Sequence, residues 1–386
     1  MDKALSAAEA VDEREVVDLL RALVRIPSHY PGPGEEGVAA FLAAYLEERG
    51  LRPFLQEAAP GRPNLVADLG EGEGGLILEG HTDVVTPGDE ARWTHPPYGA
   101  VVEGGRVYGR GACDMKGGLA ALVGAMLAVG RALGRPKRPL CLAALADEEG
   151  MMLGVKAFLK AGLARGFRGA VVAEPEEMEI CLWQKGALRL RLLFPGRMAH
   201  GAMPYAGENP IPKAARFVLE LKALEEKLQA AFPHPFLGPP YLTPTRFLAS
   251  AGEGQLNVLP DRAEVALDVR TVPGVDHAGL VAEIGALAGV GVEVLEDRPP
   301  VETPKEDPLV QAAEEALSLL GLPLRHGGVP GATDGTFLRA WGGLPVVVMG
   351  PGRKTLPHQV DEWVGVEEVV QAARVYAALA ALYLEG

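Results

Sequence analysis

"LCLAALADEEGMM", residues 140–152, is apolar for seven positions and then abruptly acidic. A run this short, apolar at every position, suits a strand buried on both faces, the type found in parallel sheets covered by helices. Asp147, Glu148 and Glu149 stand side by side where that strand ends. Acids are common in the polar loop after a strand, so the triplet alone decides nothing. Its meaning depends on what the rest of the chain delivers to the same sheet edge.

Similar runs flank it. "NLVADLG" (64–70), "GLILEGH" (75–81) and "GAVVAEP" (169–175) are short and apolar, and helical segments separate them. Val16, Leu19, Leu20 and Leu23 share one helical face up to Pro27, and a second helix is expected over 34–50. "GGLAALVGAMLAVG" (117–130) reads as a buried helix, because it falls short of the ~20 apolar residues that span a bilayer. Another helix is expected over 154–161. Near Ala187 the rhythm changes. "ALRLRLLF" (187–194) alternates in period two, as a half-buried antiparallel strand does. A helix (210–230), strands "TRFLAS" and "AEVALDVR", a helix (277–288) and a strand "VGVEVLE" follow. This βαββαβ order predicts a ferredoxin-like split unit. The α/β rhythm resumes with a helix over 309–320, the strand "LPVVVMG" and a final helix over 366–384. The expected architecture is an α/β domain formed by 1–186 and 298–386, with a mostly parallel sheet, interrupted by a smaller domain at 187–297.

The bulk numbers agree with two folded domains: 386 residues, 48% of them hydrophobic. A net charge of −14 without basic clusters argues against nucleic acid or an anionic membrane as partner. Three cysteines without CxxC spacing are no disulfide framework, and the N-terminal stretch lacks a basic region followed by an apolar one. A cytoplasmic setting is therefore expected.

In open α/β sheets, ligands bind beyond the carboxyl ends of the strands. There the chain delivers His81 and Asp83 ("LILEGHTD"), Glu148 and Glu149, Glu174 ("GAVVAEP") and His358 after a loop. "VYGRGACDMKGG" adds Asp114 just before the buried helix, where it could serve as a helix cap. Each residue alone has an ordinary explanation. Together, so many acids repel one another unless cations neutralise them. A pair of divalent ions resolves the conflict. Two imidazoles with shared carboxylates suit Zn²⁺ and tolerate Co²⁺ or Mn²⁺, and are too rich in nitrogen for Mg²⁺. In His81-Thr82-Asp83 the alternate residues share a face, so Asp83 is expected to hold the far ring nitrogen of His81.

These residues lie within longer motifs. "GHTDVV", "PPYGA", "GRVYGRGACDMKGG", "DEEG", "AEPE", "AHGAMPYAGENPI" and "HQVDEWV" occur in this order. The set resembles the di-zinc aminoacylase/carboxypeptidase family of metallohydrolases, over both expected domains. The resemblance implies a zinc-exopeptidase type of catalytic domain with an inserted lid and dimerisation domain. It implies that Asp114 bridges two metals, that His81 and Glu174 complete one site, and that Glu149 and His358 complete the other. Glu148 would be the general base that deprotonates the bridging water. A cis peptide after the bridging aspartate would fall at Asp114-Met115. His200 would reach into the partner subunit's active site of a homodimer and stabilise the oxyanion. Asn257 and Arg270 would hold the substrate carboxylate, and "GVPGATDGTF", with Gly331 and Thr333, would be the substrate loop. The chain departs from the family's commonest pattern in having Thr333 where Ser is usual, and Gly201-Ala202 where small hydroxyl residues are frequent.

The expected reaction is hydrolysis of the amide bond of an N-acyl amino acid. A di- or carboxypeptidase is the alternative, since both cleave an amide beside a carboxylate. A non-catalytic metal- or peptide-binding protein is disfavoured by the full ligand set and Glu148. No GxSxG motif points to a serine hydrolase, and Cys113 reads as a small packed residue.

Overall fold

The computed structural model describes residues 1–251 and 255–385, which divide into two compact units. The first comprises Met1–Leu182, Glu302–Gly328 and the chain from Thr333 onward. The second comprises Trp183–Val301 with a short return at Val329–Ala332.

The first unit is built on a nine-stranded sheet among the described residues. Its central strands are Leu140–Leu145, Gly75–His81, Phe167–Val172 and Val346–Val348, in that spatial order and all parallel. The first two are buried at every position, as expected of strands covered on both faces. In their register His81 lies beside Leu145, so the imidazole and the acids after Ala146 leave the sheet at one edge. Arg62–Leu69 joins the parallel core antiparallel, on Leu140–Leu145, and Phe54–Ala59 closes that side. Ile180–Gln184 is antiparallel to Val346–Val348 on the other side. The sheet is thus parallel at its centre and antiparallel towards its flanks.

The helix Gly117–Leu133 covers the sheet, and its residues from Gly117 to Val129 are all buried. With the irregular turn Ala112–Lys116 before it, it forms the one described helical segment long and apolar enough to cross a membrane, and its most apolar stretch is wholly buried inside the molecule. Gly118 permits its close approach: a Cβ there would sit 2.2 Å from the Ala173 carbonyl oxygen. The helix therefore starts against the residue that precedes Glu174. Several elements carry little periodic signal. The helix Asp2–Glu9 and the three-stranded sheet Trp363–Gly365, Arg106–Tyr108 and Val101–Glu103 were not expected, the latter because three residues are too few to show alternation.

The second unit is a four-stranded antiparallel sheet, ordered Tyr241–Ala249, Arg262–Thr271, Gly186–Pro195, Val292–Arg298. Leu188, Leu190, Leu192 and Phe194 alternate along one strand and are buried with Phe217 and Leu221 of helix Ile211–Ala231 and Ile284 of helix His277–Ala288. The intervening Arg189 and Arg191 reach across to Glu296 and Glu293, at 2.7 Å each. Apolar on one face and ion-paired on the other, this strand has the period-two pattern its sequence carries.

Candidate metal centre

His81 is the last residue of its strand and is almost wholly buried. Its backbone N–H donates to Met115 Sδ. Asp114 leaves helical geometry inside the turn before Gly117, and the Asp114-Met115 peptide is cis. Asp114 is therefore no helix cap. Its own N–H and that of Cys113 both donate to Glu362 Oε1, at 2.9 Å. Glu362 is fully buried and paired with Arg110. Burial, with the charge of Asp114 added, pushes Glu362 up to about 7 against the pull of Arg110.

So held, the Asp114 carboxylate faces two imidazoles. Oδ1 lies 3.1 Å from His81 Nε2, and Oδ2 lies 3.4 Å from His358 Nε2. Glu174 approaches His81 at 3.7 Å, and Glu149 approaches His358 at 2.9 Å. One donor atom each of His81, Glu148 and Glu174 falls within 4.8 Å of the others, as does one each of His81, Asp114 and Glu149. The structure thus brings Asp114, His81, Glu148, Glu149, Glu174 and His358 to one sheet edge.

Asp83 differs from expectation. The close partner of His81 Nδ1 is the Asp83 backbone carbonyl at 2.9 Å, while the carboxylate stands 3.6 Å away, too far for a hydrogen bond. The carboxylate instead accepts the backbone N–H groups of Glu148 (3.1 Å) and Glu149 (3.0 Å), one on each oxygen. The side chain turns from the metal ligand to the loop because a carboxylate in a buried site is best satisfied by two amide donors. Burial nonetheless raises Asp83 to about 6.

The electrostatics are those of crowded negative charge. Burial drives Glu148 and Glu174 well above the carboxylate range, His81 pulls both back, and neighbouring acids push further. Burial opposes the charging of His81, yet Glu174 and Asp114 drive its pKa well up. Hydrogen bonds to Asp114 and then Glu149 raise His358 to about 10. Burial works against Asp114 ionising, but His358 and His81 hold it below the usual range. Behind the site, Glu79 is fully buried, and burial followed by the charge of Asp334 pushes it up. Two imidazoles among buried carboxylates, with one carboxylate offering an oxygen to each side, form a donor set that fits two divalent cations.

Sequence reasoning missed Glu362, although "HQVDEWV" contains it. Its signal was an acid inside an otherwise apolar "EWV" step, which a surface loop does not require. Thr333 is buried in the first unit, with Oγ1 accepting the Gly335 N–H.

The remaining expected residues belong to the second unit. His200 is exposed, its Nδ1 accepting the Ala202 N–H. The Gly201 N–H donates to the Asn257 carbonyl, which places His200 and Asn257 on adjoining loops. Arg270 gives two of its five N–H donors to Asp268, at 2.6 and 3.2 Å. Its charge adds to burial in lowering the pKa of Lys185, whose Nζ donates to the Pro239 carbonyl. Gly331 lies in the short return of the chain to this unit.

The family described as Peptidase family M20/M25/M40 matches residues 77–382. An acetylornithine deacetylase from Edwardsiella ictaluri is 32% identical over 372 residues, spanning 92% of this chain and 94% of that protein. A succinyl-diaminopimelate desuccinylase from Methylobacterium sp. is 34% identical over 394 residues, spanning 95% of each. In fold, the chain is similar to an M20 family metallo-carboxypeptidase from Sulfolobus solfataricus, with TM-score 0.77, 20% identity and coverage of 96% and 99% of the two chains. It is also similar to a dinuclear metal-binding peptidase from Bacillus subtilis, with TM-score 0.72, 18% identity and coverage of 97% and 98%.

Proposed function

The chain belongs to peptidase family M20/M25/M40, and from that we propose a deacylase that hydrolyses the amide bond of an N-acyl amino acid at a two-metal centre. That it is a metal-dependent hydrolase of amide or peptide bonds follows from the family. The choice of an N-acyl amino acid rests on the two curated relatives, a deacetylase and a desuccinylase. Cleavage of short peptides is the second reading, favoured by the fold shared with the metallo-carboxypeptidase.

The observation that carries the proposal is the division of Asp114 between two histidines. His81, Glu174 and Asp114 Oδ1 would hold one ion, and His358, Glu149 and Asp114 Oδ2 the other. Zn²⁺ suits this set best, with Co²⁺ or Mn²⁺ as substitutes. Two such ions supply charge that polarises a carbonyl and lowers the pKa of water. The chain's own part falls to Glu148. Its carboxylate accepts the proton of the attacking water at one oxygen and later donates it to the leaving nitrogen. Burial, which pushes the Glu148 carboxyl well above its ordinary range, makes it a better proton acceptor than a free carboxylate. Asp83, holding the Glu148 amide, keeps that carboxyl in place.

The second unit is proposed as a ferredoxin-like lid and dimerisation domain, close to the expected span 187–297. The βαββαβ order and the fully antiparallel sheet support that description. Its Asn257 and Arg270 would receive the substrate carboxylate. Arg270 keeps three N–H donors beyond those given to Asp268, enough for a bidentate contact. His200 would stabilise the oxyanion from the partner subunit of a homodimer. A panel of N-acetyl amino acids, N-succinyl amino acids and dipeptides, assayed with the Zn²⁺- and Co²⁺-loaded protein, separates the readings. Turnover of the acylated amino acids is expected, and cleavage of dipeptides alone would favour the peptidase.

A further inference from the structure

Asp147 carries no role in the chemistry above, yet it is almost fully buried and takes a left-handed conformation at φ 67°. Its carboxylate is taken up by partners other than the metal ligands. One oxygen takes the Arg62 guanidinium through Nη1, and the other accepts the N–H groups of Met151 (3.0 Å) and Leu153 (3.3 Å). Its carbonyl accepts the Met152 N–H at 2.7 Å. The loop that follows is therefore wound around this one residue.

The other side of Arg62 is equally committed. Its Nε lies 3.1 and 2.9 Å from the two oxygens of Glu35, and its Nη2 bonds Glu35 as well. Glu35 is completely buried at the start of helix Glu36–Glu47, and it also accepts the Asp147 N–H at 3.2 Å. Arg62 itself is 7% exposed and lies 4.3 Å over the ring of Tyr30. A planar guanidinium can serve two carboxylates at once, which a lysine ammonium cannot do with the same directionality.

Three successive amides thus end on carboxylates from elsewhere in the chain: Asp147 on Glu35, Glu148 and Glu149 on Asp83. This arrangement sets the direction of each side chain. Glu148 is sent towards His81 and Glu174, and Glu149 towards His358. Without the guanidinium, Glu35 and Asp147 would be two buried carboxylates in mutual repulsion. Asp147 would then have no reason to keep a positive φ, and the peptide planes on either side of Glu148 would be free to turn.

We propose that Arg62, acting through Asp147 and Glu35, is a positioning residue that aims Glu148 and Glu149 in their separate directions. The proposal rests on the two-metal hydrolase reading for its effect on turnover, and its metal readout is independent of the substrate.

The test uses the full-length protein as wild type and as Arg62→Lys, Asp147→Ala and Asp147→Asn. Each is titrated with Co²⁺ followed by its visible absorption, and kcat and KM are measured on the best amide of the panel. Misplacement on the scale of an ångström lowers kcat by about 10²-fold, so Arg62→Lys and Asp147→Ala are expected to lose about that much with little change in KM. Both are expected to weaken the Co²⁺ equivalent that needs Glu149. Asp147→Asn, which tolerates the left-handed conformation and keeps one acceptor for Arg62 while its NH₂ meets the Met151 and Leu153 N–H groups, is expected to recover part of the loss. A wild-type Co²⁺ titration and kcat per folded molecule in Arg62→Lys, with only a lower Tm, would overturn the proposal. If Arg62→Lys does not fold, the Asp147 pair decides: equal losses in Asp147→Ala and Asp147→Asn would overturn it. Should the wild type cleave no amide while the Co²⁺ titrations change as stated, the positioning role stands and the reaction assignment falls.

Discussion

The Asp83 carboxylate accepts the backbone N–H of Glu148 at 3.1 Å and, through its second oxygen, that of Glu149 at 3.0 Å. An acid two residues from a metal-ligand candidate thereby works on the proposed base, through the backbone, and leaves His81 to a carbonyl. Asp83→Asn keeps the size but replaces one acceptor with an NH₂ donor facing an N–H. It is expected to lower kcat by about 10–10²-fold while KM changes little. Steady-state kinetics on the metal-loaded variant check this, and unchanged kcat would remove Asp83 from the machinery.

The buried acids predict a pH dependence for the metal-free protein. Asp83 is raised to about 6 and Glu362 to about 7, both by burial first. A carboxyl whose folded pKa exceeds its unfolded value binds more protons when folded, so stability falls as pH rises towards the folded pKa. His81 and His358, raised by neighbouring carboxylates, act in the same direction above pH 6.5. Chelator-treated protein should therefore melt at a progressively lower temperature from pH 5 to pH 7.5, and Zn²⁺ should flatten the trend. A melting temperature that climbs across that window without metal would contradict the charge assignment.

Glu362 supports Asp114 by accepting two backbone amides while neutralising buried Arg110. Glu362→Ala leaves that guanidinium unpaired and is expected to cost about 3–5 kcal/mol. Glu362→Gln, which still accepts the amides, should lose less. Denaturant unfolding of both variants tests the order, and equal stabilities would show that the pair matters little.

The proposed reach of His200 into a partner subunit has its own consequence. His200→Ala and Glu148→Gln should each be nearly inactive. After subunit exchange, random hybrids carry one intact site per dimer, so the mixture should recover roughly a quarter of wild-type activity. No recovery despite demonstrated exchange would place His200 outside the partner's site.

What the sequence made readable was the position of side chains relative to strands. Leu140–Leu145 and Gly75–His81 are uniformly apolar because both faces are buried, and such runs announce their own ends. His81, Glu148, Glu149 and Glu174 stand at or just after such ends, so the sequence alone groups them. Partners joined across the chain left no such trace. Arg62 and Asp147 are 85 residues apart, and Glu362 and Asp114 are 248 apart. Each reads locally as an ordinary charge in a polar segment, because burial and pairing arise only when the chain closes. Asp83 shows the same limit at short range: period two gave the face, but the choice between an imidazole and two amides depended on where Asp147–Glu149 came to lie. The outer strands differ for another reason. Arg62–Leu69 is buried over most of its length like its parallel neighbours but runs antiparallel to Leu140–Leu145, and a buried run carries no signal of strand direction.

The proposed chemistry depends on the separation of ligand and base between the adjacent Glu148 and Glu149. Glu148→Gln, loaded with Zn²⁺ and analysed for metal content and turnover, tests it most directly. Two ions per chain with kcat reduced by about 10²–10⁴-fold is the expected result. Loss of one ion would make Glu148 a ligand, and wild-type turnover would contradict its role as the base.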